Sequence, residues 1–363
     1  MTAQTFCRLA ERIMRIPAVA YHEHAVRAEV ELICRENDLS FRRDRFGNLF
    51  VTLKTDSRQR PLVLAAHMDH PGFEITGSAK GRKLHAEFLG GVPDSYFREG
   101  IRLRTLPRNR SAVLGRRIRV KGKGKRFEIH LRANSPDAIE YAVWDLPDFL
   151  RKGDFIHARA CDDLIGVTAI LATLIELRKK RAKVHVIGVI SRAEEVGFHG
   201  ALTVASAKAI PSDSIVISLE TSRELPGVKM GQGVIVRVGD RASIFNSAAT
   251  RFLAEVGNDL SKRRKNFSVQ RALMSGGTCE ATAYQEFGYT VAAVCVALGN
   301  YHNCGANNKI KAEFVSESDA LGMVELLAAA AFRMKEFDKL TGRLPARLEK
   351  LLREAKPRLL QNP

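Results

Sequence analysis

No stretch of this 363-residue chain is apolar for long enough to cross a bilayer. The longest candidates, such as GMVELLAAAAF at 322–332, stop short of the roughly 20 residues a helical span needs. The N-terminal MTAQTFCRLAERIMRIPAVAYHEH lacks the apolar segment and cleavage site of a signal peptide and patterns instead as an amphipathic helix. Cysteine is sparse: Cys7, Cys34, Cys161, Cys279, Cys295 and Cys304 include no CxxC pair. That spacing excludes a zinc ribbon and a thioredoxin-like motif, and the chain is too long for a small disulfide scaffold. A reduced, cytoplasmic protein is the expectation. Aromatics make up 7% of the chain and tryptophan occurs once, at Trp144. Internal repeats and low-complexity linkers are missing.

What is present is an ordinary globular composition, 45% hydrophobic, with a large net charge of +18. A chain of this length buries a full core and is expected to hold two domains. The charge is concentrated. Residues 101–132 carry twelve Lys/Arg against Glu128 alone, and residues 343–358 carry six against two acids. Such patches attract nucleic acid or anionic surfaces. However, RRIRVKGKGKRFEIHLR alternates like a β-hairpin with one solvated basic face, and no aromatic side chains are interleaved to stack bases. Nucleic acid and membrane are therefore not the expected partners.

Hydrophobic periodicity predicts helices over 3–16 and 22–37, two short strands within 39–54, and a near-continuous apolar strand, PLVLAAHMD, over 61–69. From 76 to 156 the texture changes to short alternating strands, turn residues and dense arginine and lysine. The α/β rhythm then returns: helix 163–179, strand 183–191, a helix from 196, strand 213–219, helices 244–257 and 279–287, strand 289–297 and a long helix 316–339. The predicted architecture is one α/β domain interrupted by a β-rich insert: α/β-domain segments 1–75 and 157–345, the insert 76–156, and a basic tail 346–363.

Chemistry-bearing residues cluster at predicted strand ends, where sites gather in open α/β sheets. SRAEEVGFHG places Glu194 and Glu195 side by side after an apolar strand; AAHMDHPGF offers His67 and Asp69; ARACDDLIGV offers Asp162 and Asp163; IVISLETS offers Glu220; LGNYHNCGANNKI offers His302. Read alone, each has a bland explanation, such as helix-start acids or a turn histidine. Read together, they form a metal set. His67, Asp162 and Glu220 could hold one divalent ion, and Asp162, Glu195 and His302 a second, with Asp162 as the bridge. Asp69 can orient the far nitrogen of His67. Glu194 is then free to act as general base. Cys161, Cys279 and Cys304 lie beside these residues and are read as small core residues, and His70, His157 and His199 as non-ligands.

DRFGNLFV, AAHMDHPGF, CDDLIGV, EEVGFHGA, VKMGQGVIVRVGD and GGTCEA, in this order, resemble stretches of the cocatalytic dizinc aminopeptidases of the TET and glutamyl-aminopeptidase type. The resemblance covers almost the whole chain. It implies a mixed-sheet α/β zinc-exopeptidase fold with a small β-rich insert that self-associates or caps the site. It also implies a soluble homo-oligomer acting on peptides with two divalent ions per chain, zinc, cobalt or manganese. Carried over residue by residue, the ligands are His67, Asp162, Glu195, Glu220 and His302, with Glu194 as the base that works on a metal-bound hydroxide and Asp69 as orienter. His70, Leu164, Glu220 and Cys279 depart from the family's usual residues; His70, Leu164 and Cys279 are expected near substrate, and Glu280 or Asp163 is expected to receive a substrate ammonium. The 95 positions between His67 and Asp162 hold the insert, whereas the 82 between Glu220 and His302 leave no room for a lid domain. That layout favours an aminopeptidase over a related carboxypeptidase or N-acyl-amino-acid deacylase. A catalytically silent relative that binds nucleic acid or an acidic partner through the insert is a third reading.

Overall fold

The computed structural model describes residues 1–78, 82–119, 122, 124–133, 138–341 and 346–361. Its centre is the strand Leu62–His67, which is buried along its whole length. Successive side chains of a strand point to opposite faces. Here Leu62, Leu64 and Ala66 enter one hydrophobic cluster while Val63 and Ala65 enter another, so the segment reads as a continuous apolar run. It pairs in parallel with His185–Ser191 on one side and Ile215–Arg223 on the other, and the latter pairs in parallel with Thr290–Gly299. Antiparallel strands extend both flanks into a mixed eleven-stranded sheet.

Helices cover both faces. Ala3–Met14, Leu164–Lys179 and Glu317–Arg333 pack on one side. Leu164–Lys179 is apolar almost all round, as suits a helix sealed between the sheet and other helices. His199–Ser206 and Glu280–Glu286 cover the other side. No helix among the described residues is long and apolar enough to cross a membrane.

After His67 the chain leaves the sheet and builds a closed six-stranded antiparallel barrel from Gly72–Ser78, Lys83–Leu89, Arg102–Leu106, Arg110–Ile118, Lys125–Leu131 and Tyr141–Trp144. Closure removes the free edges that short strands otherwise expose. The junction is tight: a Cβ at Gly72 would stand 2.3 Å from Val19 Cγ1. Strand partners change at Gly72 and again after Trp144. The strands Leu150–Lys152 and Phe155–Ala158 pair into the large sheet, so the expected 76–156 segment begins inside the barrel and runs past it. The discrepancy has a simple cause, since these two strands are as short as those of the barrel and follow it without a break in the strand-and-turn pattern.

Part of the basic hairpin's charge is paired. Arg116 reaches Glu128 at 2.8 Å, Arg117 reaches Asp94 at 2.6 Å and Arg126 reaches Glu87 at 3.0 Å. The basic C-terminal segment is a helix, Ala346–Gln361. The predicted helix 316–339 is divided: Glu317–Arg333 is followed by a 3-10 turn and a short helix, Phe337–Thr341.

The barrel interior is aromatic. Phe73 sits edge-on to Trp144 at 5.0 Å and to Phe88 at 4.9 Å between ring centroids. Removing such a ring costs about 3–5 kcal/mol. Phe73→Ala should therefore destabilise the barrel by about that amount and move the emission of Trp144 to longer wavelength, which denaturant titration followed by fluorescence will check.

Candidate metal centre and cavity

The carboxyl ends of the parallel strands and the loops beside them bring His67, Asp162, Glu194, Glu195, Glu220 and His302 around one cavity of ≈ 350 Å³, which Asp69 does not line. His67 ends its strand with Nδ1 3.1 Å from the Asp69 carbonyl oxygen. A carbonyl only accepts, so Nδ1 carries the proton and Nε2 presents its lone pair. Nε2 lies 3.5 Å from Asp162 Oδ1 and 3.8 Å from Glu194 Oε2. His302 is arranged in the same way. Its Nδ1 donates to the Gly91 carbonyl at 2.8 Å, and its Nε2 faces Glu195 Oε2 at 3.3 Å and Asp162 Oδ2 at 3.7 Å.

Three groups of ligand atoms converge to within 4.8 Å: His67 with Asp162 and Glu220, Asp162 with Glu195 and His302, and His67 with Glu194 and Glu195. His67, Asp162 and Glu195 each belong to two of them, and Asp162 is the one shared by the first two. No cysteine enters these groups among the described residues; the Cys161 thiol points to the Ile156 carbonyl and that of Cys304 to the His302 carbonyl.

The tight turn that joins the two glutamates is held from behind. The Asp69 carboxylate accepts from the backbone N–H groups of Glu194 at 3.0 Å and Glu195 at 3.1 Å. Ala193 is held in the left-handed region, φ 51°, an uncommon position for a residue with a Cβ. Its N–H donates to buried Glu23 at 2.9 Å, and Glu23 in turn receives the Arg192 guanidinium. Asp162 is fixed similarly: Glu313 accepts from the N–H groups of Cys161 at 2.8 Å and Asp162 at 3.1 Å. Glu23, Gly91 and Glu313 are absent from the sequence-derived set. Nothing in the local sequence marks them, because each acts across more than 150 residues of chain.

So many carboxylates in one buried place repel one another. Burial, reinforced by neighbouring acids, pushes the Glu194 and Glu195 carboxyls well above the usual range. Burial likewise raises Glu220 to about 7, against the pull of buried Arg237. Burial opposes charging His67, but Glu194, Asp162 and Asp69 together raise its pKa well above the ordinary histidine value. Asp162 Oδ1 and Glu195 Oε1 are buried without any hydrogen-bond partner. Unpartnered carboxylate oxygens beside two imidazole Nε2 atoms are, once deprotonated, the donor set of a divalent cation, and the residues fit one.

The expected substrate neighbours separate. Cys279 lines the cavity. Leu164 is in the hydrophobic core, and His70 is buried between the Asp162 carbonyl at 2.9 Å and Asn303 Oδ1 at 3.0 Å; neither lines the cavity. The proposed ammonium partners do not reach it either. Asp163 caps its own helix on the Gly166 N–H, and Glu280 accepts from the Ser191 hydroxyl, both without solvent exposure. The cavity lining instead includes Arg223, Arg237, Arg241 and Tyr301.

With this geometry in place, comparison with known proteins is informative. Residues 138–312 match the model of the M42 glutamyl aminopeptidase family. A curated protein of Acetivibrio thermocellus named "Putative aminopeptidase" is 23% identical over 287 residues, 74% of this chain and 82% of that protein. The Pyrococcus horikoshii TET1 peptidase structure shares 21% identity at a TM-score of 0.74, covering 90% of this chain and 99% of that one. The aminopeptidase APDkam598 of the archaeon Desulfurococcus kamchatkensis shares 20% identity at a TM-score of 0.76, over 94% and 99% of the two chains. At these identities the structural likeness is one of fold, a mixed α/β architecture. The class defined is a peptide-bond hydrolase. More narrowly, the segment 138–312, just under half of the chain, is similar to the M42 glutamyl aminopeptidase family.

The Asp69 contacts yield a direct test. A hydrogen bond to a charged group contributes about 1.5–3 kcal/mol, so Asp69→Ala should speed amide exchange at Glu194 and Glu195 by about tenfold or more. The strand His185–Ser191 should stay protected. Unchanged exchange at the two glutamates would mean that Glu23 alone holds the turn.

Proposed function

We propose that this chain is a metal-dependent aminopeptidase that binds two divalent cations, one through His67, Asp162 and Glu220 and the other through Asp162, Glu195 and His302. The observation that carries this reading is the position of Asp162, common to two ligand groups and left with a buried, unpartnered oxygen. When bound, such cations polarise a scissile carbonyl and lower the pKa of water. The protein's own residues perform the remaining steps. Glu194, anchored by its backbone to Asp69, accepts the proton of the attacking water and delivers it to the departing amine. Asp69 and Gly91 keep the two imidazoles in the tautomer that leaves each Nε2 free. Arg223 and Arg241 add positive charge to the cavity lining, which favours peptides beginning with an acidic residue.

The structures named above include a TET1 peptidase that can assemble into a tetrahedron or a large octahedral shell, and PhTET1-12s, another similar structure, is a dodecamer. Self-association of this chain, through or beside the barrel, belongs to the same proposal and is readable by sedimentation.

Glu194→Gln should lower kcat by about 10²–10⁴-fold while two metal equivalents are retained, because it removes a proton carrier and no ligand. Asp162→Ala should lose both ions by elemental analysis; two tightly held ions in that variant would dismiss the shared ligand. A glutamyl dipeptide offered with a free and with an acetylated N-terminus checks direction. Faster cleavage of the acetylated form would favour the deacylase or carboxypeptidase reading.

A further inference from the structure

A second cavity, ≈ 340 Å³ and sharing no residue with the first, lies where the barrel meets the segment that follows His302. Ligand pockets begin at about 300 Å³. Its walls are apolar: Ile101 and Leu146 from the barrel, Ile310 from the main domain, and Trp144. Trp144 is fully buried, packed edge-on to Phe73 at 5.0 Å, and its indole N–H has no hydrogen-bond partner. A buried indole normally finds an acceptor.

The rim is cationic. Arg98, Arg102 and Lys309 line the cavity against a single acid, Asp145. Asp145 is already engaged, 3.5 Å from Arg102 and 3.6 Å from Arg104. Lys309 makes no ion pair among the described residues, and Arg98 donates only to the Asn307 carbonyl at 3.4 Å. An apolar pocket with two cations free of ion pairs among the described residues at its mouth matches one ligand chemistry.

We propose that this cavity is a binding site for a small carboxylate with an apolar body, its ring or aliphatic chain against Trp144 and its carboxylate at Arg98 and Lys309. The site stands apart from the proposed metal centre and does not depend on it. It is placed where it would be felt, however. Tyr96 Oη donates to the Gly305 carbonyl at 2.9 Å, so the pocket lies along the seam that joins the barrel to the His302 segment.

Trp144, the sole tryptophan, is the reporter. The full-length protein is titrated with 3-phenylpropionate, 3-phenylpropionamide and 3-phenylpropylamine, followed by tryptophan fluorescence and, in parallel, by calorimetry. The carboxylate should bind saturably at millimolar concentration and perturb Trp144, and the amide and amine should bind at least about tenfold more weakly, as expected for loss of one charged contact. Arg98→Glu and Lys309→Glu, both at exposed positions, should each weaken the carboxylate by a similar factor with the thermal midpoint unchanged. Any of three results overturns the proposal: no saturable binding by either method, equal binding of all three probes, or carboxylate binding that ignores both charge reversals.

Discussion

The mutual repulsion of buried carboxylates is the constraint around which this molecule is organised. Asp69, Asp162, Glu194, Glu195 and Glu220 converge on one edge of the sheet, where water is scarce and like charges are poorly screened. An unpaired buried charge is among the most costly features a fold can carry. Two compensations are visible. One is the pair of imidazoles that faces the acids. The other is a set of backbone N–H groups, from the turns at 193–195 and 161–162, that donate to the carboxylates of Asp69 and Glu313. The remaining excess of negative charge faces the cavity, where the proposed cations would meet it.

The sheet serves this arrangement through its parallel centre. Parallel strands end on the same side, so residues distant in sequence emerge together: His67, the 192–195 turn, Glu220 near the end of its strand, and His302. Both faces of the sheet are sealed by helices, which leaves the carboxyl edge as the place where polar groups can accumulate. The barrel then closes part of that edge by presenting Gly91 to His302.

Much of this was legible in the sequence, for identifiable reasons. The strand Leu62–His67 could be read because both its faces are buried, and the helix Leu164–Lys179 because its acidic start and apolar length are unambiguous. The residues suggested as ligands stood out because strand ends rarely collect so many acids and histidines. What could not be read depends on closure of the chain at a distance. Glu313 looks like a solvated residue in KAEFVS, yet it is fully buried and holds the backbone of Asp162. Glu280 and Asp163 look like free carboxylates at helix starts, and their sealing from the cavity follows from packing that local pattern does not encode. The barrel limits were misplaced for a related reason, since alternation identifies a strand but not its partner.

The bond from His302 Nδ1 to the Gly91 carbonyl has a thermodynamic consequence. It makes the seating of the barrel and the basicity of His302 Nε2 two readings of one free energy. Coupling between sites is reciprocal. Whatever His302 binds will therefore fasten the barrel by the same factor by which a fastened barrel strengthens that binding. A mutation deep in the barrel, far from any acid of the cavity, can in this way be expressed as a change in affinity at the sheet edge. An insertion joined to its host by two chain crossings thus acts as a tuning weight on the very edge it interrupts.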